Sequence, residues 1–115
     1  SDRIVFRQNA GNGRTSNFLS TLQLALTNFN VVRINYHSTD TDQTTERTIE
    51  PFAIYSTQEN WLVVAFCRLR KDFRAFRLDR IKSLNTLTDR FEPHKMTLPE
   101  YFEICKEKYS PVPLT

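Results

Sequence analysis

Glycine is nearly absent from this sequence. The 115 residues hold two, Gly11 and Gly13, both within Asn9-Ala10-Gly11-Asn12-Gly13. No glycine-rich loop is left elsewhere to cradle a phosphate with backbone N–H groups, and no Gly-x-Ser-x-Gly elbow exists. Histidine is as scarce. His37 and His94 are the only two, and neither has a Cys, a Ser or a second His at useful spacing. Cys67 and Cys105 stand 38 positions apart without a Cys-x-x-Cys, so the four ligands of a structural zinc site are missing. Each lies in an apolar stripe, where a free thiol behaves as a small hydrophobe, and this usage fits a reducing, cytoplasmic setting. No apolar run approaches the roughly 20 residues that span a bilayer, and no basic region followed by an apolar one marks a secretory signal. No membrane partner is expected, and no cofactor or metal.

The chain is one domain's worth of residues, 39% hydrophobic and 25% charged, with nine Phe, four Tyr and one Trp. That composition suits a small β-rich core. Residues 1–14 are expected to form an N-terminal lead-in and linker in which Ile4-Val5-Phe6 either adds a short strand or packs on the body, and this abrupt start suggests a domain cut from something longer. A helix is expected from Thr15 or Ser16 as N-cap, burying Phe18, Leu22, Ala25 and Phe29, with Leu19 and Leu26 widening the stripe. Asn28 and Asn30 are its terminators.

Five strands should follow. Val31–His37 places Val32, Ile34 and Tyr36 on one face. The polar turn Ser38–Thr45 leads to Glu46–Tyr55, where Pro51 marks an edge, bulge or bend. Its carboxylates Asp40, Asp42, Glu46 and Glu50 are expected on a solvated face. Trp61–Cys67 is a β-branched and aromatic run, and Phe73–Leu78 alternates bulky apolar residues with cations. A short turn at Arg80-Ile81 precedes a fifth strand, Ser83–Phe91. Thr97-Leu98-Pro99-Glu100 is a capping box opening a second helix, whose buried stripe is Leu98, Phe102, Cys105 and Tyr109; Pro111 and Pro113 then stop it. Five short strands between two helices suggest a strongly bent, partly closed barrel.

Charge is the other asymmetry. From Arg68 to Lys82 the net charge is +5, against +3 for the whole chain. Arginine keeps its charge and offers a rigid fork of donors, which suits phosphate and other polyanions. Arg68, Arg70 and Lys71 are expected in a solvated loop. Arg74, Arg77 and Arg80 lie among Phe73, Phe76 and Leu78 and are the constrained set. Cations alternating with rings on a sheet suit single-stranded nucleic acid. With no enzyme signature present, a binding module is the expected class.

Four segments in series carry a family resemblance: Ile34-Asn35-Tyr36, Arg47-Thr48-Ile49-Glu50-Pro51, Trp61 to Cys67, and Arg74 to Ile81. Together, over roughly Ser16 to Phe91, the chain resembles the WYL domain. The name-giving Trp-Tyr-Leu triplet is Trp61-Leu62-Val63 here, so the tyrosine's role has no carrier at Leu62. The resemblance implies an Sm-like, SH3-type five-stranded small β-barrel with an N-terminal and a C-terminal helix. It divides the chain into the lead-in 1–14, the WYL-like domain 15–93, and the C-terminal helix and tail 94–115. It implies a ligand-sensing regulatory domain of a bacterial transcriptional regulator, with DNA contacted by a helix-turn-helix domain outside this chain. The implied ligand is negatively charged, a single-stranded nucleic acid or a nucleotide. Its binding set maps onto Tyr36, Arg47, Arg74, Arg77 and Arg80, supported by Trp61 and more weakly by His37. A homodimer is the further partner expectation, and a protein-interaction or oligomerisation module without a small ligand is the alternative.

Overall fold

The structure is a computed structural model, which describes residues 10–109. The expected Ile4-Val5-Phe6 strand and the stop at Pro111 and Pro113 lie outside those residues. In chain order the elements are α1 (Ala10–Asn28), β1 (Asn30–Ser38), β2 (Gln43–Ser56), β3 (Trp61–Cys67), β4 (Asp72–Arg77), a 3-10 turn (Leu78–Arg80), β5 (Ile81–Arg90) and α2 (Leu98–Tyr109). The fold is mainly β, one antiparallel five-stranded sheet in the order β4-β3-β2-β1-β5.

β2 is the strand that bends the sheet. Its first half, up to Ile49, pairs with β1, and its second half, from Ile49 onward, pairs with β3. The change of partner falls at Ile49, and two residues on the register against β3 slips by one residue between Pro51 and Ala53. Proline cannot donate to a ladder, so the bend sits where a missing N–H is tolerated. The curl does not complete a barrel: no ladder joins β4 to β5. The expected partly closed barrel is therefore an open, bent sheet. Across the gap, the 3-10 turn carries the chain from one edge to the other. The Arg77 N–H donates to the Tyr36 hydroxyl oxygen at 3.1 Å, tying the end of β4 to β1.

The concave side holds the core. Val32 and Ile34 of β1, Ile49 of β2, Val63, Ala65 and Cys67 of β3, Phe76 of β4, Leu78 and Ile81 pack with Leu22 and Ala25 of α1. The strand residues follow the period of two that puts alternate side chains on one face. Phe18 and Leu19 complete the α1 contact, whereas Leu24 stays exposed. α1 begins at Ala10, earlier than its polar cap signal, and runs through both glycines. Extending a formed helix fixes one more residue per hydrogen bond, so it tolerates a glycine that could not nucleate a turn. At its other end Phe29, at φ 57°, takes the left-handed position that ends the helix, and its ring meets Phe91 edge-on at 5.9 Å.

The capping box of α2 forms reciprocally. The Thr97 N–H donates to Glu100 Oε1 at 2.8 Å and the Glu100 N–H to Thr97 Oγ1 at 3.2 Å. Its buried stripe is rotated from the expected one: Tyr101 is buried, while Phe102 is largely exposed and touches Tyr55 edge-on at 5.0 Å. The cause is the segment before it. His94 is inserted among Phe52, Phe66, Phe73 and Phe91, with ring centroids 5.1–6.4 Å away, and so sets how α2 approaches the sheet. Its Nε2 lies 2.9 Å from Glu50 Oε1, close but not aligned as a hydrogen bond. Glu50 also accepts from Arg68 Nε at 2.8 Å. Glu50 is thus mostly buried between Arg68 and His94, within β2 and paired opposite Phe66, and not part of a solvated loop face.

A candidate anion-binding cleft

At one end of the concave face three connections converge: the β1–β2 hairpin tip, the β3–β4 turn and the 3-10 turn. Between them lies a cleft of about 260 Å3. Arg47, Arg74 and Arg80, three of the arginines expected from the sequence, line it, and Tyr36 and Phe76 form part of its wall.

Each arginine arrives for a local reason. Arg47 sits opposite Ile34 in the β1–β2 ladder, on the inward face of β2, and is 7% exposed. Its Nε donates to Thr45 Oγ1 at 3.1 Å and one terminal nitrogen approaches Cys67 Sγ at 3.6 Å. A guanidinium has five N–H donors, so most of its capacity is left for the cleft. Arg74 pairs with Ala65 in the β3–β4 ladder and is exposed. Arg80 is half-buried and is aimed by the 3-10 turn. Arg70 is the member that sequence reasoning assigned to a solvated loop. The β3–β4 turn closes through the Lys71 N–H donating to the Cys67 carbonyl at 2.7 Å, with Lys71 at φ 57°, and this fold-back sets Arg70 on the cleft wall. The signal that could have found it is the shortness of the turn, four residues between two paired strands.

Among the described residues none of Arg47, Arg70, Arg74 and Arg80 has a carboxylate within ion-pair distance, whereas Arg33, Arg68 and Arg77 each have one; Arg80 acts on Asp79 only through space, helping to lower its pKa. Arg33 pairs with Glu46 at 3.5 Å and Arg68 with Glu50. The lining has one acidic residue, Asp40, at the hairpin tip beside Ser38, Thr39 and Thr41. Tyr36 accepts from the Arg77 N–H and its ring meets Phe76 edge-on at 4.9 Å, so its position is set by structure while its own O–H proton remains available.

Three expected site residues are not brought to the cleft. Arg77 turns to Asp79 in a two-pronged contact, Nε–Oδ1 3.0 Å and a terminal nitrogen to Oδ2 2.6 Å. The hydrogen bonding that Arg77 donates to Asp79 raises the Arg77 pKa and lowers that of Asp79. His37 is held in the hairpin by Thr44 and Asp42, and Trp61 begins β3 opposite Ser56. Arg77→Ala is accordingly expected to change anion affinity less than about twofold and to cost at most about 1 kcal/mol, as partly exposed ion pairs do. Titration calorimetry with a short oligonucleotide and a thermal melt read both; a tenfold loss of binding would restore Arg77 to the site. No group of three or more His, Cys, Asp or Glu among the described residues is placed to hold a metal, and no described helix is long and apolar enough to cross a membrane.

Comparison with known proteins adds two findings. A family profile described as WYL domain matches residues 17–86, which takes in β1 to β4, the 3-10 turn and all four cleft arginines. Among solved structures the chain is similar to Proteasome accessory factor B/C (PafBC) of Arthrobacter aurescens, with a TM-score of 0.63 and 28% identity over 68% of this chain. The chain spans 12% of the length of that protein. No curated protein sequence matches.

Proposed function

Because this chain belongs to the WYL-domain family, we propose that it is the ligand-sensing regulatory domain of a bacterial transcriptional regulator. It binds a negatively charged ligand, single-stranded nucleic acid or a nucleotide, in the arginine cleft. The observation that carries this reading is the convergence of Arg47, Arg70, Arg74 and Arg80 with no carboxylate at ion-pair distance among the described residues. Four like charges on one wall are mutually repulsive, and an arrangement that stability alone would disfavour is where a ligand's charge is wanted. Arg74, Arg80 and Arg70 pair with phosphate oxygens, Arg47 closes the floor, and the Tyr36 hydroxyl donates. The regulator is cytoplasmic and touches its operator through a helix-turn-helix domain outside this chain. Ligand can shift that domain's arrangement only by binding the two states of the regulator unequally.

Fluorescence anisotropy with a short single-stranded DNA tests this. Each phosphate neutralised contributes a slope of roughly −0.7 to log K against log salt. A slope at least that negative is expected, and binding indifferent to salt would remove phosphate from the account. A second reading, a protein-interaction module, draws on the outer edges of β4 and β5, which pair with no further strand among the described residues. Sedimentation showing stable self-association, with no oligonucleotide bound, would favour it.

A further inference from the structure

The cleft presents more positive charge than an internal phosphodiester returns. Four guanidinium groups line it and a single carboxylate, Asp40, stands among them. A phosphodiester within a strand carries one negative charge. A terminal phosphomonoester carries about −1.5 to −2 at pH 7 and three acceptor oxygens on one phosphorus, the geometry that paired arginine forks hold bidentately.

Size and charge distribution lead the same way. At about 260 Å3 the cleft lies below the roughly 300–1,000 Å3 usual for small-molecule sites, room for one phosphate with its sugar. The arginines come from β2, the β3–β4 turn, β4 and the 3-10 turn, whereas the β1–β2 hairpin tip contributes hydroxyls and Asp40. A strand leaving over that tip brings its next phosphate against the Asp40 carboxylate. A strand that ends in the cleft does not.

Resting on the anion-binding reading above, the geometry points to a site for the terminal phosphomonoester of single-stranded nucleic acid, with Asp40 and the hairpin hydroxyls facing the sugar or base of the end nucleotide. A carboxylate there accepts from a hydroxyl or amino group, which the sugar and base of an end nucleotide supply. A free nucleoside monophosphate offers the same chemistry and is the one other source to separate.

The test compares two short DNA strands of one sequence, labelled at the 3′ end, one with a 5′-phosphate and one with a 5′-hydroxyl. Anisotropy is measured on the full chain and on the Arg74→Ala and Arg70→Ala variants, both changes at exposed side chains. The phosphorylated strand is expected to bind at least about tenfold more tightly, and each variant to reduce that advantage to about threefold or less. Adding a nucleoside monophosphate in about hundredfold excess over the strand separates the sources: displacement assigns the cleft to the free nucleotide's phosphomonoester, and resistance assigns it to a strand end. Equal affinity for the two strands overturns end recognition while leaving anion binding intact. Failure of both to bind overturns the anion-binding reading itself.

Discussion

Alanine at both Arg74 and Arg80 is expected to weaken binding of a phosphorylated single strand at least about a hundredfold, with the fold left standing. Hydrogen bonds to charged groups contribute roughly 1.5–3 kcal/mol each, and about 1.4 kcal/mol is a factor of ten, so two lost contacts give that loss or more. Neither side chain has a hydrogen-bonded or ion-paired partner among the described residues to leave behind, Arg80 acting on Asp79 only through space; Arg74 is exposed and Arg80 half-buried. Substitutions of that kind usually fall within about 0.5 kcal/mol, so the melting temperature should move by no more than about 4 °C. Anisotropy near 50 mM salt and a thermal melt of the same preparation read the two quantities. A loss under about fivefold would mean that these arginines are surface charge, and the cleft would lose its claim as the binding site.

Much of this architecture was legible in the chain, for reasons that differ by element. β3 came out at Trp61–Cys67 because a seven-residue β-branched and aromatic run admits little else. The capping box of α2 was equally firm, since Thr97 and Glu100 satisfy each other locally. The bend at Pro51 followed from a missing donor. What was not legible depended on distant contacts. The rotation of α2, which buries Tyr101 in place of Phe102, is set by His94 lodging among four Phe rings from β2, β3, β4 and the end of β5. The early start of α1 went against glycine's usual role as punctuation.

The cleft shows the same division. Arg74, Arg77 and Arg80 look like one series at a spacing of three, but strand side chains alternate with a period of two. Arg74 and Arg77 therefore lie on opposite faces of β4, and period alone separates them. Arg80 rejoins Arg74 because the 3-10 turn re-aims the chain, which no spacing within a strand foretells. Arg70 was lost because a block of like charge usually faces solvent. Its placement depends on Lys71 adopting a positive φ, a conformation uncommon outside glycine and asparagine.

Arg47 separates a functional arrangement from a structural one most sharply. The residue is 7% exposed, yet its hydrogen-bond contacts are a threonine hydroxyl and a thiol, and thiol sulfur is a weak acceptor. A buried cation so thinly compensated is costly, and replacing buried ionic groups with apolar ones of similar volume is often neutral or stabilising by about 1–4 kcal/mol. Methionine is unbranched and adaptable, and keeps an apolar side chain of similar length at this position. Arg47→Met is expected to raise stability in urea by about 1–3 kcal/mol and to weaken binding at least about thirtyfold, as truncating one partner of a buried charged contact does. Arg47→Lys keeps the charge but loses the planar fork, so binding should fall in between. If Arg47 were there to hold the sheet together, Arg47→Met would lower the urea midpoint and leave affinity unchanged. Opposite movement of stability and binding is the signature of a charge kept in place by selection for its ligand rather than for the fold.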